Sequence, residues 1–443
     1  MSDLSPEQTW LLTRPRFGRG PSLERAQRLL EPLHLSPQAC LAVTGSNGKG
    51  SVCRYLEAMF MALGLRPGVF TSPHVLHLGE RFQVAGRPVD AARLDRSIAI
   101  VRQIIESAPD QAAYGVFETM LGVAVRCFAQ AEVPVGVFEV GIGGRWDPVR
   151  RVAAHVAGLT AVELEHTQLL GGKRREIALD KADLAPEGGV LVCADLGDAT
   201  LLADLREHCR ARRVRLVMAT DHVRFASPRL DAGGMTAEAW FLGRCRGALR
   251  WAMPGRHQLS NAAVALAMLL EWNRLQAQPK DPESLWRAAT QAVGATRIPG
   301  RCEALDLTPP VYLDIAHTPD SVQRFVEVLH TVIRDRRAVL LTGVSADKRL
   351  TDILAGLAPI ADTLVATQAR HRGAPATAIA AHLRRLRPDA RLHSAATLET
   401  GVALALAESR RQQVPLIIAG GLFLAMEARA VLKAGAPDDP HFH

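Results

Sequence analysis

One segment, Thr44-Gly45-Ser46-Asn47-Gly48-Lys49-Gly50-Ser51, constrains the fold of this chain more than any other. It follows a short apolar run, Cys40–Thr44, and precedes an amphipathic stretch from Ser51 to about Leu63. Closely spaced glycines let the backbone turn tightly, so that successive N–H groups converge on phosphate oxygens at a helix start. In such a loop the lysine, here Lys49, reaches the β- and γ-phosphates, and the following hydroxyl, here Ser51, is placed to ligate Mg²⁺. The common form of this loop has glycine five residues before Gly48, where this chain has Val43, so the segment is the variant G-x-x-G-K-G-S. A Gly-rich turn without a ligand is the plain alternative. Strand, loop, Lys-Gly-Ser and helix in that order favour nucleotide binding.

The rest of the chain repeats the alternation of short β-branched runs and longer amphipathic ones. Gly68–Thr71, Val135–Val140, Val156–Val162, Val190–Ala194 and Val214–Ala219 read as strands, and Ala113–Ala129 reads as a helix. This pattern implies a mostly parallel sheet covered by helices. Alternating residues over Val223–Trp251 suggest a small β excursion. Gly and Pro interrupt the pattern at Gly294–Gly300, after which it restarts: strand Val311–Ile315, helix Ser321–Arg334, strands Ala338–Thr342 and Thr363–Thr367, helix Ala376–Leu386, strand Pro415–Ala419. The expected fold is α/β: a P-loop-type, mostly parallel sheet domain over residues 1–295, and a smaller doubly wound α/β C-terminal domain over 296–443. A chain of 443 residues is long enough for two or three such cores.

Composition excludes several classes. Hydrophobic residues at 48% and charged residues at 22% argue against disorder. The richest apolar run, Ala262–Leu270, is about half a membrane span, so no transmembrane helix is expected. Asp3, Glu7, Arg14, Arg16 and Arg19 leave no apolar stretch for a secretory signal in the first twenty residues. The seven cysteines form no C-x-x-C pair and read as reduced thiols of a cytoplasmic protein. Net charge is +8, but no run of five basic residues occurs, so a small polyanionic substrate is expected rather than nucleic acid.

Downstream of the loop, Glu139 closes an apolar strand in Phe138-Glu139-Val140-Gly141. A carboxylate at that place is costly if buried alone, and Mg²⁺ shared with Ser51 and the phosphates is a natural partner. A solvated strand terminus is the alternative. Gly141-Ile142-Gly143-Gly144-Arg145-Trp146-Asp147, His166 and Lys181 carry no site unaided.

Taken in order, these segments resemble the Mur ligase superfamily, and within it the folate branch of folylpolyglutamate synthases and bifunctional dihydrofolate synthases. The blocks that carry the resemblance run along nearly the whole chain. Besides the phosphate loop they are Thr71-Ser72-Pro73-His74 with Glu80-Arg81, Val116-Phe117-Glu118, Glu139 through Asp147, Glu165-His166-Thr167 with Leu170-Gly171, and Asp180-Lys181-Ala182. Further on come Gly255-Arg256-His257-Gln258 with Asn261-Ala262, Pro299-Gly300-Arg301, Asp314-Ile315-Ala316-His317 and Gly420 through Leu424.

The resemblance implies ATP-dependent joining of an amino acid, glutamate, to a folate-like acid through an acyl phosphate. It implies that Asn47, Gly48, Lys49, Gly50 and Ser51 hold the phosphates, with Asn261, Arg301 and Asp314 completing the ATP site. Ser51, Ser72 and Glu139 would bind one Mg²⁺, and Glu139 with His166 a second. Lys181 would be carbamylated, and Lys49, Lys181 and His166 would be the catalytic groups. Phe117, Glu118, Arg145, Asp147 and His317 would line the substrate side. The resemblance admits a monovalent cation. The expected partners are small molecules only, with neither nucleic acid nor membrane, and the expected state is a monomer.

The chain departs from the family pattern at Glu165, where the family has Asp, at Pro148-Val149-Arg150, at Thr318 and at Gly421. The departures fall mainly on the substrate side, so a Mur-type ligase with a non-folate carboxylate acceptor is the alternative reading.

Overall fold

Short apolar runs fold here as buried strands, and the amphipathic runs between them as helices on both faces. The structure, a computed structural model, describes residues 4–33, 39–74, 77–231, 234–333, 337–346 and 350–434. The first sheet contains β1 (Ala39–Thr44), β2 (Gly68–Phe70), β3 (Phe82–Val84), β4 (Arg87–Pro88), β5 (Val135–Glu139), β6 (Val156–Leu159), β7 (Val190–Cys193) and β8 (Arg215–Met218). Their spatial order is β4-β3-β2-β5-β1-β6-β7-β8. The sheet is parallel from β2 to β8, and β3 and β4 extend one edge antiparallel. In β1, Val43 lies opposite Glu139 of β5 on one side and Gly158 of β6 on the other. The chain leaves β1 for β2 on one side and later adds β6 on the other. Strand order therefore reverses at β1, and ligands bind beyond the carboxyl ends of strands at such a reversal.

Two cores sandwich this sheet. The helices Ala91–Glu106, Val116–Gln130, Arg174–Ala182 and Ala199–Ala211 cover one face through Ile98, Met120, Ile177 and Leu205. The helices Lys49–Ala62, His257–Arg274 and Pro282–Ala295 cover the other through Leu56, Val264 and Leu285. The expected β excursion is an antiparallel meander of β9 (Val223–Asp231), β10 (Gly234–Phe241) and β11 (Arg244–Trp251). Met235, Ala237, Ala239 and Phe241 alternate inward from β10 and join the second core.

The later residues form a second sheet of β12 (Glu303–Leu305), β13 (Val311–Leu313), β14 (Val339–Thr342), β15 (Thr363–Ala366), β16 (Arg391–Ser394) and β17 (Leu416–Ile418). The order is β12-β13-β17-β14-β15-β16, parallel except for β12, with helices on both faces. This is the α/β class the sequence implies.

Differences lie at element ends, and each has a local cause. The helix read over Ala113–Ala129 runs Val116–Gln130, because Gly115 caps it after a 3₁₀ turn at Gln111–Ala113. The strand read over Val156–Val162 stops at Leu159. Beyond it, Thr160 and Ala161 turn their backbone to the phosphate loop through Thr160 N to Thr44 O, 3.0 Å, and Ser46 N to Ala161 O, 2.7 Å. The helix read over Ser321–Arg334 begins at Pro319 behind the cap Thr318; Arg334 lies outside the described residues. Among the described residues no helix is long and apolar enough to cross a membrane.

Candidate active site

The phosphate loop leaves β1 and enters the helix Lys49–Ala62 at the carboxyl edge of the sheet. Gly45 has φ +142° and Gly48 φ +90°, backbone that side chains resist. Space is equally decisive. A Cβ built on Gly45 would fall 1.8 Å from Thr160 Oγ1, and one on Gly48 would fall 2.2 Å from Asn261 Oδ1. Thr160 Oγ1 donates to Asn47 O at 2.6 Å and so fixes the loop from behind. Lys49 Nζ folds over the loop and donates to Gly45 O at 2.9 Å.

Glu139 ends β5 beside this loop and is 4% exposed. Its Oε2 accepts the Ser72 N–H at 2.9 Å, and a Cβ built on Gly50 would sit 3.6 Å from the same oxygen. Burial raises the Glu139 pKa, opposed by Lys49, the Ser72 amide, Arg301 and Arg54. Ser51, at 5% exposed, lies one residue further along the same helix start. A buried carboxylate with Ser51 and Ser72 nearby is a set of hard-oxygen groups. Mg²⁺ is commonly held in this way, by one or two carboxylates plus phosphates. Among the described residues no three His, Cys, Asp or Glu side chains converge as a metal-binding group.

His166 begins the short helix Thr167–Leu170 with φ +45° and is exposed. Its neighbour Glu165 reaches Lys181 of the helix Arg174–Ala182, with Nζ 2.9 Å from Oε1. Lys181 is 1% exposed. Burial lowers its pKa first, the charge of Lys49 lowers it further, and Glu165 opposes both. Gly143 and Gly144 pack onto this helix. A Cβ on Gly144 would meet Lys181 O at 2.5 Å, and the Gly144 N–H donates to Asp180 Oδ1 at 3.0 Å.

Arg301 and Asp314 come from the second unit, Arg301 from the turn before β12. Asp314, at the end of β13, accepts the N–H of Cys302 and of Ala316, each at 2.7 Å. Burial raises its pKa to about 6, with Arg301 opposing. His317 turns Nδ1 to Ile315 O at 3.1 Å. Asn261, on the helix His257–Arg274, donates to Gln258 Oε1 at 3.1 Å while its Oδ1 lies against Gly48. The two units meet at Arg324, whose guanidinium pairs with Glu163.

On the substrate side, Phe117 reaches the loop after Glu139: a Cβ on Gly141 would lie 3.0 Å from its ring. The other residues expected there are engaged within the protein. Glu118 pairs with Arg25 at 2.8 Å in a buried site. Arg145 donates to Asp183 at 2.6 Å, although its side chain stays 44% exposed. Asp147 accepts the amides of Gly141, Ile142 and Val149 at 3.0, 3.1 and 2.9 Å and so shapes the Gly-rich loop. Sequence reasoning passed over Thr160, Glu163 and Arg324. A lone Thr, Glu or Arg outside a motif carries no signal until the fold brings it to the loop.

A phosphate loop with a buried carboxylate beside it, and an arginine of a second α/β unit whose charge reaches that carboxylate, defines a Mur-type ligase architecture. Residues 300–421 match the family model described as Mur ligase, glutamate ligase domain. The chain is 32% identical over 388 residues to the dihydrofolate synthase/folylpolyglutamate synthase of Mycobacterium tuberculosis, covering 83% of this chain and 77% of that one. It is 34% identical over 435 residues to a probable bifunctional folylpolyglutamate synthase/dihydropteroate synthase of Halobacterium salinarum, covering 95% of this chain and about half (50%) of the relative's length. Among solved structures it is similar to Mycobacterium tuberculosis folylpolyglutamate synthase complexed with ADP, with TM-score 0.85, 27% identity and coverage of 97% and 98%. It is also similar to a bifunctional folylpolyglutamate synthase/dihydrofolate synthase with Mn, AMPPNP and L-glutamate bound, with TM-score 0.79, 27% identity and coverage of 97% and 98%. The chain belongs to the folylpolyglutamate synthase/dihydrofolate synthase family.

Proposed function

We propose that this chain is an ATP-dependent ligase that adds L-glutamate to a folate or dihydropteroate through an acyl phosphate. The observation that carries the reading is Glu139, buried against Gly50 and Ser72 at the mouth of the phosphate loop. Its neighbours explain the chemistry. The carboxylate of the acid substrate is a poor acyl donor because oxide is a poor leaving group. Its oxygen attacks the γ-phosphorus of ATP, ADP leaves, and the resulting acyl phosphate is open to the amine of glutamate. The amine forms the amide bond and loses a proton, and phosphate departs.

Both steps develop negative charge, so fixed cations and amides supply most of the stabilisation. Lys49 and the loop N–H groups hold the β- and γ-phosphates, and Arg301 approaches the transferred group from the second unit. Asn261 and Asp314 take the nucleoside end, Asp314 accepting from the ribose. Ser51, Ser72 and Glu139 would hold one Mg²⁺ and Glu139 with His166 a second; the bound ion neutralises phosphate charge and orients the oxygens. Phe117 and the Asp147-shaped loop receive the acceptor, with His317 facing it from the second unit. Glu118, held by Arg25, and Arg145, held by Asp183, act on the acceptor indirectly, through the residues they fix. Residues 1–295 carry the phosphate and acceptor sites and 296–443 the closing unit, and the enzyme works as a cytoplasmic monomer.

Lys181 is the site of carbamylation in this reading. The ammonium first gives up one proton, and the neutral amine then adds to CO₂ and gives up a second, so that a buried cation becomes a carbamate anion. The low-lying Lys181 pKa favours that reaction, and Glu165 must release Nζ for it to proceed. A monovalent cation fits the resulting anionic cluster.

The test is incubation of the purified protein with MgATP, glutamate and either dihydropteroate or tetrahydrofolate. The expected result is phosphate release matched by a product heavier by one glutamyl residue. Glutamate-dependent phosphate release with neither acceptor would refute the folate assignment. Release with another polycarboxylate would establish the non-folate alternative.

A further inference from the structure

Glu163 stands in a run, Val162-Glu163-Leu164-Glu165, that no phosphate-loop motif includes. In the fold it is bonded to the loop three times. Its N–H donates to Ser46 Oγ at 2.9 Å, its carbonyl accepts from Ser46 Oγ at 3.3 Å, and its Oε2 accepts from Asn47 Nδ2 at 2.6 Å. The other carboxylate oxygen, Oε1, accepts from Arg324 on the helix Pro319–Val332 of the second unit. The two side chains are only 17% and 32% exposed, so water screens the pair less than it screens a surface ion pair. Asp320, one turn earlier on the same helix, also faces Glu163. Arg324 further lines a cavity of about 510 Å³ with Arg256, His257 and Val328, where the second unit closes against the helix His257–Arg274 and β9.

We propose that Glu163 is a positioning residue: it fastens the phosphate loop and the second unit to one carboxylate, so that the loop's conformation and the closure of Arg301 and Asp314 over it are set together. The proposal rests on the ligase reading for its catalytic consequence, but its geometric content stands apart from it. A carboxylate with one oxygen on each side of a cleft is a short, directional tie. If Arg324 is lost, the second unit keeps its core but is no longer held at this point, and Arg301 spends less time over the γ-phosphate. If Glu163 is lost, Asn47 also loses its acceptor.

The experiment uses the full chain and the variants Arg324→Ala, Glu163→Ala, Arg324→Lys and the Glu163→Ala/Arg324→Ala double. Small-angle X-ray scattering reports the separation of the units, and steady-state kinetics reports kcat and KM for ATP. Arg324→Ala is expected to enlarge the radius of gyration and lower kcat about tenfold. Arg324→Lys is expected to restore most of both, and the double variant to be no worse than Glu163→Ala. An unchanged radius of gyration and kcat in Arg324→Ala, or fully multiplicative effects in the double variant, would overturn the proposal. Scattering needs no turnover, so a wild type without ligase activity defeats the functional reading while the tie is still decided.

Discussion

Nζ of Lys181 lies 2.9 Å from Oε1 of Glu165, in a site where Lys181 is almost wholly buried and the charge of Lys49 also acts on it. An aspartate at position 165 would be one methylene shorter. Here the longer chain delivers a carboxylate to the amine.

Removing that amine tests its role. Lys181→Ala is expected to lower phosphate release at least a hundredfold, the scale of losing a charge-stabilising group in a water-poor site. Formate or acetate is expected to restore part of the loss, because the missing anion is small. Full activity in the variant contradicts the carbamate role.

Gly48 is fixed by both backbone and space. Gly48→Ala places a methyl 2.2 Å from Asn261 Oδ1 at φ +90°. Nucleotide affinity, followed by calorimetry with an ATP analogue, is expected to fall at least tenfold, while the circular dichroism spectrum is unchanged. Undiminished affinity would show that the loop tolerates a conformation this structure excludes.

The buried Arg25–Glu118 pair is predicted to matter for stability. Burial raises the Glu118 pKa and Arg25 opposes it. Arg25→Ala leaves that carboxylate without its cation, at an expected cost of about 3–5 kcal/mol in urea denaturation. Glu118→Gln is expected to cost less, because the amide oxygen still accepts from Arg25. Equal and small effects would mean that the pair is solvated in solution.

A pH dependence follows from Asp314, raised to about 6 chiefly by burial. A raised carboxyl favours the folded protein in its protonated form. That contribution is present below the unfolded value of about 3.9 and is lost as pH rises through about 6. In the proposed function Asp314 accepts from the ribose, which needs the opposite, ionised form. KM for ATP is therefore expected to rise as pH falls below 6, and Asp314→Asn is expected to have a higher KM with a flatter profile. The same pH profile in both proteins would remove Asp314 from the nucleotide site.

The residues that carry the phosphate site are legible in the sequence because they are consecutive. Strand, glycine turn and Lys-Gly-Ser are one local event, and β1 and the helix Lys49–Ala62 fall where the pattern puts them. Glu139 is legible for a related reason, as a charge closing an apolar strand. Arg145, Asp147 and Glu118 are visible as motif residues, but their bonds are not. Asp183 lies far along the chain from Arg145, and Arg25 lies far before Glu118. Glu163 and Arg324 are 161 residues apart in the chain, and only the packing of the second unit makes them neighbours. Short strands such as β16, Arg391–Ser394, escape the pattern because an edge strand with exposed ends lacks an apolar run.

The most direct measurement of the central claim follows oxygen. An acceptor labelled with ¹⁸O in its carboxylate is incubated with MgATP and glutamate, and the released phosphate is analysed by mass. Activation through an acyl phosphate predicts one ¹⁸O in each phosphate released, with one amide product per label transferred. Phosphate free of label, with ATP consumed, would contradict it and leave this site a hydrolase of ATP.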